Sequence, residues 1–67
     1  MQSRAAEFPH PELIGTFRQF GPFGIPYQIL KEGHDSDKGW TVEIEVPVTG
    51  EHLEYPLNAV LDDPEAR

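Results

Sequence analysis

The chain contains no cysteine, which excludes a disulfide framework and any thiolate metal centre. A domain of 67 residues must then hold itself together by apolar packing, although a chain this short removes only about 60% of its unfolded surface from water. Long hydrophobic runs are also missing: nothing approaches the ~20 apolar residues of a membrane-spanning helix. The N-terminal stretch Met1-Gln2-Ser3-Arg4-Ala5-Ala6-Glu7 has no apolar segment behind its single positive charge, so it lacks the form of a secretion signal. A cytoplasmic protein is expected. Lys and Arg are absent from Gly39 to Ala66, where Glu43, Glu45, Glu51, Glu54, Asp62, Asp63 and Glu65 stand uncompensated in a chain of net charge −7. Such a surface repels phosphate backbones and anionic headgroups, so neither nucleic acid nor membrane is an expected partner.

Catalytic chemistry has little to draw on. The only serines are Ser3, near the N-terminus, and Ser36, among polar residues; neither is placed to be held by a base and an oxyanion hole. Carboxylates are plentiful, but their surroundings are those of an exposed surface, where nothing raises a carboxyl into the range of acid catalysis. There is no glycine-rich phosphate loop and no basic stripe with interleaved aromatics. A non-catalytic protein without a cofactor is expected.

The clearest positive signal is alternation. Trp40, Val42, Ile44, Val46 and Val48 alternate with Thr41, Glu43, Glu45 and Pro47, and after Thr49-Gly50 the residues Leu53, Tyr55 and Leu57 alternate in turn. This predicts a β-hairpin with one buried and one solvated face. A two-residue turn would set Val46 against Leu53, Ile44 against Tyr55 and Glu45 against Glu54, and a four-residue loop would keep the same parity. An odd loop would turn one strand inside out. Upstream, Tyr27–Lys31 reads as a short strand, and residues 13–20 are open between strand and helix, with a strand favoured. Gly21-Pro22-Phe23-Gly24-Ile25-Pro26 is a loop by its chemistry. Residues 32–39 read as a mobile polar loop, and Leu57–Pro64 as one helical turn stopped by proline.

The expected fold is therefore mainly β: three to four antiparallel strands, curled or in an SH3-like barrel, with a short C-terminal helical turn. Its organisation is a flexible tail over residues 1–11 from which Phe8 could fold back, one domain over 12–64, and a C-terminal tail over 65–67. The expected core is Phe17, Ile29, Val42, Ile44, Val46, Leu53, Tyr55, Leu57, Val60 and Leu61, with Trp40 at its edge.

Two surfaces are candidates for binding. Glu43, Glu45 and Glu54 share the outer face of the hairpin, where like charges oppose one another, as suits a basic protein partner. Compensation by Arg18 or Lys31 from a neighbouring strand is the plainer reading of the same charges. Phe23, Tyr27 and Trp40 offer an alternative aromatic surface beside a proline-rich loop, a form that peptide-binding modules use; filling the core of a small domain is again the plainer role. His34 with Glu32, Asp35 and Asp37 supplies metal-ligand chemistry, but the position that a calcium loop needs for its bidentate acid is Val46. No metal site is expected. An edge strand left open would also allow self-association.

The string Gly15-Thr16-Phe17-Arg18-Gln19-Phe20-Gly21-Pro22-Phe23-Gly24-Ile25-Pro26-Tyr27, then Trp40, Thr49-Gly50-Glu51, Glu54-Tyr55-Pro56-Leu57 and Asp62-Asp63-Pro64, resembles a family of short bacterial proteins of unknown function. The resemblance covers most of the chain beyond residue 12 and implies a bacterial origin, with no site residues to carry over. The order of elements is similar to that of small SH3-like barrels, an architectural likeness that carries no function.

Overall fold

The computed structural model describes residues 7–66. A 3-10 turn, η1 (Pro11–Leu13), leads into four strands, β1 (Phe17–Gln19), β2 (Pro26–Ser36), β3 (Gly39–Val46) and β4 (Glu51–Pro56), and then a helix, α1 (Leu57–Asp62). The strands form one antiparallel sheet in the order β1-β2-β3-β4. It is an open sheet, not a closed SH3-like barrel, and α1 packs on the face presented by β3 and β4. The fold is thus the mainly β architecture that the alternation predicts.

The hairpin of β3 and β4 has the predicted parity and the longer of the two allowed loops. Val46 stands opposite Glu51, Ile44 opposite Leu53 and Val42 opposite Tyr55. The Val46 carbonyl accepts from Thr49 N at 3.1 Å and from Gly50 N at 2.7 Å, and Gly50 takes a φ of 78°. Thr49 is a poor residue for a two-residue turn that demands positive φ, so the loop widens until glycine alone carries that conformation. The shift corrects the charge pairing: Glu45 faces His52, and it is Glu43 that faces Glu54.

The expected mobile loop over 32–39 is instead the end of a second hairpin. Strand β2 runs on to Ser36 and pairs with β3 as far as Gly39. Gly39, with φ 105°, supplies the backbone freedom just after the Asp37-Lys38 turn, and the Ser36 hydroxyl bonds the Gly39 carbonyl at 2.9 Å. Polar composition concealed this strand because both its faces are largely exposed. Two register shifts interrupt β2, one between Ile29 and Lys31 and one between Glu32 and Asp35.

Phe8, Leu13, Tyr27, Ile29, Val42, Ile44, Val46, Leu57 and Val60 form the core, with Phe20, Trp40 and Tyr55 packed against it. Three residues expected there are not. Phe17 pairs with Gln28 on the outer face, Leu53 is 40% exposed on an edge strand, and Leu61 turns outward from a six-residue helix. Tyr27, fully buried, takes the place assigned to Phe17. Of the expected N-terminal tail, residues 1–6 lie outside the described residues, as does Arg67 of the C-terminal one. Phe8 is buried, with its ring edge-on to Trp40 at 5.4 Å.

Asp63, just beyond α1, ties the two ends of the chain together. Its Oδ2 accepts from the hydroxyls of Tyr27 at 2.7 Å and Tyr55 at 3.1 Å, its Oδ1 accepts from Gly21 N at 3.1 Å, and its carbonyl accepts from Arg18 Nη1 at 2.8 Å. Burial, and next the Asp63 carboxylate, push both phenols above their ordinary range, so both stay protonated donors. Phe20 completes a three-ring cluster with them, 4.5 Å from Tyr27 and edge-on to Tyr55 at 5.4 Å, while the two tyrosine rings lie 5.3 Å apart.

Candidate functional site

Cross-strand register assembles the outer face of the sheet row by row. Phe17, Gln28, Glu45 and His52 stand abreast on the four strands, and Lys31, Glu43 and Glu54 form the next row. The bulge at Gly33-His34 then redirects the chain, as bulges do. His34 reaches across β3: its backbone N–H donates to Thr41 Oγ1 at 2.8 Å and its Nδ1 meets Glu54 Oε2 at 2.5 Å, while Thr41 Oγ1 donates to the same Oε2 at 2.6 Å. Gly33 permits this, since a Cβ there would lie 2.3 Å from Thr41 Oγ1.

The predicted trio Glu43, Glu45 and Glu54 is therefore brought together on one exposed face, each with a basic neighbour. Lys31 Nζ lies 3.9 Å from Glu43, His52 Nε2 lies 3.7 Å from Glu45, and His34 bonds Glu54. Lys31 is thus the compensating cation, whereas Arg18 is committed to Asp63. Exposed pairs of this kind are screened by water and salt and contribute little to stability. With both imidazoles neutral, three carboxylates oppose one ammonium and the face stays negative. A shallow depression of about 200 Å³ lined by His34, Glu43, His52, Leu53 and Glu54 lies at its centre.

The bonds from Thr41 and then His34 hold the Glu54 carboxyl below its ordinary value, and the Glu54 bond and charge hold His34 above its own. The contribution of His34 to stability is complete below pH 6.5, the unfolded value, and is lost as pH rises through the raised folded one. That of Glu54 is complete above pH 4.5 and is lost as pH falls through the lowered one. The pair is fully formed between those two limits. In an NMR titration the His34 imidazole should have its midpoint above 6.5 and return towards it in Glu54→Gln. A midpoint indifferent to that substitution would show that the contact is not made in solution.

The aromatic candidates are not brought together. Tyr27 is fully buried, Trp40 packs against Phe8 at the far end of β2, and Phe23 is 98% exposed at the tip of the β1–β2 loop. That loop is braced: Phe20 N donates to the Ile25 carbonyl at 3.1 Å, and Gln19 Nε2 bonds the carbonyls of Gly21 and Pro22 at 3.2 and 2.9 Å. Antiparallel order places the β3–β4 loop at the same end of the sheet, where Val48 is also exposed.

Among the described residues, no three His, Asp or Glu side chains are grouped to hold a metal ion. None of their helices is long and apolar enough to cross a membrane. Of the two compensating cations that sequence reasoning offered, the structure selects Lys31; the roles of His52 on the outer face and of Asp63 at the chain ends were missed. For His52 the signal was there, because a four-residue loop would have paired it with Glu45. A family model described as a family of unknown function (DUF5397) matches residues 5–67. No match is found among curated proteins.

Proposed function

The chain belongs to that family of unknown function, and we propose that it is a small, non-catalytic cytoplasmic interaction protein that binds a basic surface on another protein through the outer face of its sheet. The observation that carries this reading is the gathering of Glu43, Glu45 and Glu54 on neighbouring strands, with Glu43 directly opposite Glu54. Like charges so placed are destabilising, a repulsion that Lys31 and His34 offset in part and a basic ligand would remove. The titratable cluster of buried Tyr27 with half-buried Tyr55 and Asp63 supports a non-catalytic role, because its groups satisfy one another and bind the chain ends.

A second reading is favoured by Phe23. A phenylalanine 98% exposed on a braced loop has the placement of an anchor for an apolar pocket on a partner.

One experiment separates the two readings. The protein is immobilised, exposed to native bacterial lysate and washed first at low salt, then at ~1 M salt, where the Debye length is about 3 Å. A basic protein should be retained at low salt, released at high salt, and lost from a variant carrying Glu43→Lys, Glu45→Lys and Glu54→Lys. A partner that survives the high-salt wash and is lost in Phe23→Ser would replace the acidic-face reading with the second. Retention unchanged by either variant would sink both.

A further inference from the structure

The two edges of the sheet are treated differently by the rest of the chain. The β1 edge is covered: Gln19 N donates to the Pro64 carbonyl at 3.1 Å, Ala66 N donates to the Phe17 carbonyl at 3.2 Å, and Arg18 bridges to Glu65. Among the described residues, strand β4 pairs with β3 alone. Its register with β3 runs without a shift from Val46↔Glu51 to Thr41↔Pro56, and its proline is its last residue. An edge with no bulge, no lysine and no interior proline is a template for another strand.

We propose that the occupant of this edge is β4 of a second copy of the chain, paired antiparallel about a two-fold axis through Leu53, so that two four-stranded sheets become one of eight strands. Self-complementarity of the strand selects both occupant and register. A two-fold axis perpendicular to the sheet keeps each residue on its own face, so it must pass through a residue and not between two. Centred on Glu54, the pairing would set carboxylate against carboxylate. Centred on His52, it would oppose the imidazoles and place Leu53 against Glu51. Centred on Leu53, it places Leu53 against Leu53 on the inner face, where that side chain is 40% exposed. On the outer face it places His52 opposite Glu54 of the copy, twice by symmetry. Glu51 then falls opposite Tyr55 of the copy, and no like charges meet.

Existing contacts are compatible with that exchange. The bonds that Glu54 makes to Thr41 and His34 both fall on Oε2, which leaves Oε1 for the imidazole of the copy. His52 Nε2 lies 3.7 Å from Glu45 Oε2, so each imidazole would lie between a carboxylate of its own chain and one of the other. The join also continues the outer face across the axis, where each protomer contributes its three carboxylates.

Sedimentation equilibrium of the purified full chain, from ~10 µM to ~1 mM, tests the proposal. The apparent mass should rise with concentration from 7.6 kDa towards twice that value. His52→Glu, which sets carboxylate against carboxylate at both symmetric positions, should weaken association by about tenfold or more. The double exchange His52→Glu with Glu54→His keeps the composition and restores the cross-strand pair, so it should recover most of the lost affinity. A monomer at every concentration would overturn the proposal. So would a dimer indifferent to His52→Glu, or one that the double exchange weakens as much as the single change. The readout is the mass of the pure protein, so its failure leaves the basic-partner reading standing, and the reverse also holds.

Discussion

Asp63→Ala should lower the free energy of unfolding by about 3 kcal/mol and the midpoint of thermal unfolding by more than ~10 °C. The side chain accepts from Tyr27, Tyr55 and Gly21 N. Bonds to a charged acceptor contribute about 1.5–3 kcal/mol each when the alternative is a donor left without a partner. Tyr27 is the decisive donor, because it is fully buried and makes the shorter of the two phenol bonds to Asp63 Oδ2. Tyr55, half-buried, would recover part of its loss by hydration. For a chain of this length the whole stability is of order 5 kcal/mol, so the variant should keep less than half of it. Urea titrations of Asp63→Ala, Tyr27→Phe and the double variant would measure the coupling. A loss below about 1 kcal/mol for Asp63→Ala would show that the carboxylate is not the tie between the chain ends.

Gly24→Ala should cost about 2–4 kcal/mol, against the usual direction for replacing a loop glycine. Such a replacement ordinarily stabilises by about 0.4–1 kcal/mol, because alanine restricts the unfolded chain. Here a Cβ would lie 1.7 Å from the Phe20 carbonyl oxygen and 2.6 Å from Phe20 Cβ. The carbonyl is backbone and cannot swing aside, so the loop must reopen. Reopening breaks the Phe20 N to Ile25 bond and disturbs the packing of the Phe20 ring against Tyr27 and Tyr55. The contrasting control is Gly15→Ala, which meets nothing within 4 Å but holds a φ of 90°. Its cost comes from the backbone alone, about 1–2 kcal/mol. If urea titration finds Gly24→Ala no costlier than Gly15→Ala, the tight return of the loop onto Phe20 is absent in solution.

Both predictions rest on residues whose importance the chain does not advertise. Asp63 reads as one of many acids in an acidic half. Gly24 reads as one of two glycines in a loop that would need them anyway. What singles them out is an approach of segments far apart in sequence or folded back on themselves: Asp63 reaches Tyr27 across 36 positions. The core shows the same division. Val42, Ile44 and Val46 were legible as buried because they alternate within one strand. Phe17 was misplaced because β1 is only three residues long, too short for alternation to say which side is in. Phe17 and Phe20 cannot both point inward from a regular strand, and the chain resolves the conflict by ending the strand, exposing Phe17 and folding Phe20 back onto Tyr27.

The acidic face was half legible for a related reason. Period two puts Glu43 and Glu45 on one side of β3 whatever the neighbours do, and an even loop puts Glu54 on that side too. Which glutamate meets which partner depends on a shift of two residues, and parity cannot resolve it. Hydrogen bonds to Gly50 decide that shift. His34 could not be placed at all from its surroundings, because a bulge aims it and a bulge is set by the pairing of two strands, not by one.

By itself the sequence determined what side-chain period and composition can decide: a mainly antiparallel chain, a hairpin over residues 40–57 with a fixed inside and outside, and a negative stretch without Lys or Arg from Gly39 to Ala66. These follow from local rules, since alternation, turn chemistry and net charge require no knowledge of what packs where. Only the tertiary structure decided the exact register, the burial of Phe8 and Tyr27, the closure through Asp63, the compensation by Lys31, His34 and His52, and the covering of the β1 edge by the C-terminal residues. Each of these is a meeting of distant segments. Its free energy depends on which groups are left without water or a partner once the chain has closed, and a linear pattern does not carry that information.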